Sequence, residues 1–153
     1  MPSYGGLYIT GNSTAFYVPH AAAKYTTGWV AFAKGRGDLT VTESATNSRL
    51  TVKPGVYLVT LHMTIETEVV SGTSGDSVGI ITVGIRKDQS QVTGLKAKLD
   101  SQAADRPHNV NIVGLVEVDS TDSGQLEVYV DATDASGNDV VVSEAQFCAV
   151  LMH

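Results

Sequence analysis

Apolar and polar residues alternate along most of this chain with a period of two. The clearest case is 55–66, where Tyr57, Val59, Leu61, Met63 and Ile65 fall on one side and Val56, Leu58, Thr60, His62, Thr64 and Glu66 on the other. Successive side chains of a strand point to opposite faces, so the pattern predicts a strand with one buried face. The second face turns polar along its length, as expected of a strand running out of a core. Leu126, Val128 and Val130 alternate with Glu127, Tyr129 and Asp131 in the same way. Further strands are predicted over 77–86, 92–99, 109–119 and 140–152, and shorter ones over 7–10, 15–18, 28–33, 38–42 and 49–52. Gly79 and Gly84 mark bulges or a close approach of backbone. The polar stretch 92–99 suits an edge strand, whereas 109–119 is apolar on both faces around Ile112, Val113, Leu115 and Val116.

Turn chemistry separates these runs at 53–55, 71–76, Arg106-Pro107, 120–124 and 136–139. One stretch, 21–25, has helical composition, but Thr26, Thr27 and Gly28 stop it after five residues. No repeat, linker or low-complexity block divides the chain. The expectation is one domain over 1–153, with residues 1–11 as a candidate N-terminal arm. About eight to ten short strands at this spacing predict an all-β antiparallel sandwich or jelly roll.

Composition narrows the partners. The formal net charge is −6, and an acidic chain repels phosphate backbones, which argues against nucleic acid. The 10 lysines and arginines are scattered. Their densest grouping, Arg86 and Lys87 with Lys96 and Lys98, is broken by Asp88 and Asp100 and reads as a solvated strand face. Cys148 is the only cysteine, so no internal disulfide forms, and its apolar neighbours predict a small buried hydrophobe. Such a chain does not lean on an oxidising compartment. No signal-peptide pattern opens the sequence, and the apolar run 146–152 is too short to span a bilayer. The protein is expected to be made in a cytoplasm and to have no membrane partner.

Candidate chemistry is thin. His20, His62, His108 and His153 share no metal-ligand spacing, and one cysteine builds no Cys/His cluster. Asp131, Asp134, Asn138 and Asp139 place hard oxygens in one loop, as calcium requires, yet the spacing is not that of an EF-hand and the bidentate glutamate is missing. The same residue types suit any hairpin loop. There is no G-x-S-x-G, P-loop or G-x-G-x-x-G. The carboxylate pairs Asp119/Asp122 and Glu66/Glu68 match solvated loops and strand faces. No catalytic residue, metal or cofactor is therefore expected. Arg36-Gly37-Asp38 spells the integrin tripeptide, but it is also turn chemistry before the strand at Leu39. Asn12-Ser13-Thr14 is a glycosylation sequon, meaningful only on secretion.

The unusual feature is an apolar surplus. In the last strand Phe147, Ala149 and Leu151 point one way, and Cys148, Val150 and Met152 the other. Both faces need cover, from a neighbouring layer or from another subunit.

The segment 49–59, through Leu50, Val52, Gly55, Tyr57 and Val59, resembles a strand of the trimeric jelly rolls of the tumour-necrosis-factor and C1q type. The wider layout resembles small virion proteins of tailed phages with this fold: the start at 4–14, the strands 111–118 and 126–130, and the hydrophobic end at 140–147. One departure is Ser123-Gly124-Gln125, where a Gly-Asp turn is usual. The resemblance implies a phage capsid decoration or cement protein, made in the host cytoplasm and seated on the capsid exterior. Its partners would be two further copies of itself and the major capsid protein. With the apolar surplus, it points to a threefold contact through Tyr57, Phe147, Ala149 and Leu151. Tyr4, Leu7, Tyr8 and Ile9 then form either a clasp over a neighbour or the first edge strand of their own sheet. The alternative is a receptor-binding or tail-fibre tip module, and a third reading is a cytoplasmic enzyme of unseen type. A fibre needs a shaft of heptads or Gly-X-Y repeats, which this chain lacks, and that favours the cement reading.

Overall fold

The computed structural model describes residues 3–9, 16–18, 23–25, 30–43, 48–69, 80–100, 107–131 and 138–152. Among them run twelve strands: β1 (Tyr4–Ile9), β2 (Phe16–Val18), β3 (Ala23–Tyr25), β4 (Val30–Arg36), β5 (Leu39–Thr42), β6 (Arg49–Val52), β7 (Gly55–Val69), β8 (Ile80–Lys87), β9 (Ser90–Asp100), β10 (Pro107–Val118), β11 (Gln125–Asp131) and β12 (Asn138–Leu151). They form two antiparallel sheets. The first has the order β10-β7-β12-β1-β4, with β2 also on β12, and the second β5-β6-β11-β8-β9, with β3 also on β11. The expected antiparallel sandwich is present, and β9 is an edge strand as its polar sequence predicts. The stretch with helical composition supplies β3, whose Ala23, Lys24 and Tyr25 pair with Asp131, Val130 and Tyr129.

Burial follows the alternation. Tyr57, Val59, Leu61, Met63 and Ile65 of β7 lie in the core, while Val56, Leu58, Thr60 and Thr64 are half-buried and His62 and Glu66 exposed on the outer side. One core fills the space between the sheets. A row of directly opposed residues, Ile112, Leu61, Phe147 and Leu7, crosses four strands of the first sheet, and all four are buried.

β12 departs from strict alternation. Its pairing with β7 shifts between Val142 and Glu144, so Ser143 is an extra residue. A bulge of one residue reverses the facing of everything beyond it. Val142 and Ala145 consequently both face inward. Gly84 sits opposite a second irregularity, where β9 carries extra residues between Gln91 and Lys96 and the register shifts before Arg86. A side chain there would collide with the Gln91 carboxamide.

These placements correct two expectations. Tyr57, Phe147 and Ala149 are at most 1% exposed within a single chain, and Leu151 is half-buried against the same core. Tyr57, Phe147 and Ala149 have no remaining surface to give a neighbouring subunit, so these three do not line a threefold contact. Nor are Tyr4, Leu7, Tyr8 and Ile9 a free clasp or an edge strand. β1 is bonded to β12 on one side and β4 on the other, and Leu7 is buried in the core.

One pole of the sandwich is closed by bonded turns that gather both ends of the described chain. Ser3 accepts from Leu151 N at 2.8 Å through its carbonyl and from Asp38 N at 2.8 Å through its hydroxyl. The turn at Ser123–Gly124, which lacks the usual aspartate, receives one from another loop. The Asp88 carboxylate accepts from the backbone nitrogens of Ser123, Gly124 and Gln125 at 3.0, 3.3 and 2.9 Å. Gly124 has a φ of 71°, and a Cβ there would strike the Val52 carbonyl. Lys87 Nζ adds a 2.6 Å bond to Asp122 Oδ2. That bond raises the Lys87 pKa and lowers that of Asp122, so its contribution is present at neutral pH and fades in acid as Asp122 protonates. Asp88→Ala is expected to cost about 2 kcal/mol, since it removes the charged acceptor of three backbone donors, two of them partly buried. Urea unfolding checks this, and a change within 0.5 kcal/mol, the range of an ordinary surface substitution, would refute it.

Candidate functional site

The outer face of the first sheet carries most of the exposed large apolar residues among those described, Ile80 on β8 being the exception. Register places Leu115, Leu58, Val150 and Tyr4 directly opposite one another on β10, β7, β12 and β1. The next row is Val113, Thr60, Cys148 and Gly6. Val113 is 66% exposed, Leu115 60%, Met152 53% and Val150 37%. Single exposed apolar residues are ordinary, but a contiguous group on one sheet face marks an association surface.

The face is graded. One row further on stand Asn111, His62, Gln146 and Tyr8, then Asn109, Thr64 and Glu144. Here polar side chains satisfy each other across the strands. His62 Nδ1 donates to Asn111 Oδ1 at 2.7 Å, and Thr64 Oγ1 donates to Asn109 Oδ1 at 3.1 Å. The apolar part thus lies toward the pole of bonded turns, and the polar part lies away from it.

Cys148 is half-buried on this outer face rather than in the core. Burial pushes its thiol pKa up, against a smaller opposing effect of a hydrogen bond with Thr60. An open groove of about 490 Å³ follows the free edges of β9 and β10, with Val92, Leu115 and Glu117 in its walls. The face therefore continues round the edge of the sandwich at Leu115.

The residues assigned from sequence divide between the two sides. Tyr57, Phe147, Ala149 and Leu151 point inward, as does Leu7. Tyr4 and Tyr8 are half-buried on the outer face beside Val150 and Gln146. Val113, Leu115, Leu58, Val150 and Met152 were not singled out as an interface. Their signal was present in the doubly apolar 109–119 and in the second face of 140–152.

The other candidates fall elsewhere. Asp119 and Asp122 hold their own turn, Asp119 accepting from Thr121 N and Asp122 from Asp119 N. Arg36-Gly37-Asp38 forms the exposed β4–β5 turn, where Asp38 Oδ1 pairs with Lys53 Nζ at 2.8 Å. That bond raises the Lys53 pKa and ties the carboxylate to its own chain. Asp134 of the calcium candidate, the sequon, His20 and His153 lie outside the described residues. Among the described residues no three His, Cys, Asp or Glu side chains gather in a way that holds a metal ion. No helix of the described residues is long and apolar enough to cross a membrane.

No protein-family model matches the chain. No curated protein matches it by sequence. Solved structures do. Eiger TNF from S. frugiperda superposes with a TM-score of 0.59 at 15% identity, covering 100% of this chain and 94% of that one. The PRD1 vertex protein P5 superposes with a TM-score of 0.56 at 13% identity, covering 99% of this chain and 97% of that one. At that identity the likeness is one of fold, and the described residues form an antiparallel jelly-roll sandwich of the tumour-necrosis-factor type.

Proposed function

We propose that this chain is a non-enzymatic virion structural protein, a capsid decoration or cement protein that sits as a homotrimer on the outer surface of a phage capsid. The observation that carries this is the exposed apolar face of Val113, Leu115, Val150 and Met152. A fold shared with a phage vertex protein supports a place in a virion. The flat face and the grooved β9–β10 edge beside it are different surfaces, which suits head-to-tail contacts that close into a ring. In such a ring the apolar face is covered by a neighbouring copy, and Tyr4 contributes as part of a rigid strand.

The major capsid protein is the second partner. A protein that binds only the assembled lattice stabilises that lattice by mass action. Three identical contacts held rigidly together act through effective concentration, so weak single contacts add to a tight whole. The test mixes purified protein with expanded empty capsids, pellets them, counts bound copies and heats the decorated and bare particles. Binding in multiples of three with a raised breakage temperature is expected. Protein that stays in the supernatant yet binds host cells would replace this reading with a receptor-binding module. Protein that pellets without shifting the breakage temperature would make it a decoration without cementing.

A further inference from the structure

The polar walls of the β9–β10 groove are largely spent within the chain. Lys87 Nζ donates to Asp122 Oδ2 at 2.6 Å and to Glu117 O at 3.0 Å. Gln91 Nε2 is held by the carbonyls of Ile85, Val92 and Leu95 at 3.0, 2.9 and 3.0 Å. Val92 and Leu115 supply the apolar part of the walls, with Ser90 and Thr93 beside them. An apolar side chain fits such a groove. An anion does not, because it would lose its water beside Glu117 without gaining a free cation.

Register puts one exposed apolar side chain at the height of this groove. Met152 N donates to Val56 O at 2.7 Å, Val56 lies opposite Glu117, and Glu117 lines the groove. One row therefore runs from Met152 across β7 to the groove. The next row holds Val150, Leu58 and Leu115. Val113, the most exposed apolar residue of the face, lies one row further on and is not among the lining residues. Val150 is shorter, branched and less exposed than Met152. Methionine is unbranched and adapts to irregular gaps, and the backbone bond to Val56 fixes where this one stands.

We propose that Met152 of one protomer enters the β9–β10 groove of the next, an assignment that rests on the head-to-tail trimer above. The flat face and the groove both run along the strands. A rotation that brings one against the other turns about the strand direction, and it keeps every side chain at its own height. Only groups of equal height then meet, and Met152 and the groove satisfy that condition. Met152 thereby sets the height at which neighbouring protomers lock.

Sedimentation equilibrium of the wild-type chain comes first. A monomer at micromolar concentration removes the trimer and this contact together. With a trimer in hand, Met152→Cys and Val92→Cys are combined in a Cys148→Ser background and oxidised with copper phenanthroline. Within one chain the two positions are at least two strand spacings apart, about 9.6 Å, and a disulfide needs Cα atoms within about 7 Å. Any disulfide therefore joins two protomers. Covalent dimers and trimers are expected on a non-reducing gel from the double variant and from neither single one. Met152→Glu should weaken the trimer by about tenfold or more with the fold intact, and Met152→Leu should preserve it. A trimeric double variant that does not cross-link, equal cross-linking in Met152→Cys alone, or a Met152→Glu trimer as tight as the wild type would each overturn the groove contact and leave the trimer standing.

Discussion

Leu115→Asp is expected to convert the proposed trimer into a folded monomer of 16.1 kDa. Leu115 is 60% exposed in the single chain, so its loss removes little from the core. In the proposed trimer it is covered together with Leu58, Val150 and Tyr4, as the outermost member of their row, where the face meets the β9–β10 groove. Burying a leucine stabilises by about 1.5–3 kcal/mol, and that contribution is lost three times per ring. An aspartate in its place is worse than a gap, because a carboxylate buried without a partner costs far more than the lost apolar contact.

Sedimentation equilibrium at micromolar concentration reads the result directly. The wild-type chain should sediment as three copies and the variant as one. Cys148 supplies a second reading from the same face. Its alkylation should be slow in the trimer and faster in the monomer, since Cys148 lies one row from Leu115. Asn109→Asp, on the polar part of the face, should leave the trimer intact. A wild-type chain that sediments as a monomer sinks the trimer, and a Leu115→Asp chain that stays trimeric moves the contact to another face.

The architecture was legible in the sequence because it rests on period-two burial, and that signal survives in strands such as β7 and β11. The side of a strand that meets the core was harder. In β12 both faces are apolar, and alternation separates them without saying which is inside. The face of Phe147 was assigned to a partner, yet Phe147 is buried in the core and it is Val150 and Met152 that stand exposed. The bulge at Ser143 adds to the ambiguity, since it changes the parity within one strand. The Asp88 clamp was also hidden. Its three bonds span 35 to 37 residues, and no local pattern announces such a partner. Short strands such as β3 carry too few residues for any period, and their pairing is decided by the long strand beside them.

Phe147→Ala separates assembly from folding at the place where sequence and structure disagree. Phe147 stands between Leu61 and Leu7 in the buried row of the first sheet. Truncating a buried phenylalanine costs about 3–5 kcal/mol through lost transfer energy and the cavity left behind. A domain of this kind has about 5–15 kcal/mol in total, so the loss is a large part of its stability. Made in the Leu115→Asp background, the substitution has no trimer to weaken, and denaturant unfolding should still show the full loss. Leu7→Ala in the same background should cost about 2–5 kcal/mol. Removing residues 1–6 should unfold the chain, because β1 lies between β12 and β4 and its loss bares one edge of β12 and takes away the strand that β4 pairs with. A clasp or a threefold contact predicts the opposite: a stable monomer with only capsid binding or trimer formation impaired. A loss below 1 kcal/mol for Phe147→Ala, joined to loss of the trimer in the wild-type background, would return that side chain to the interface.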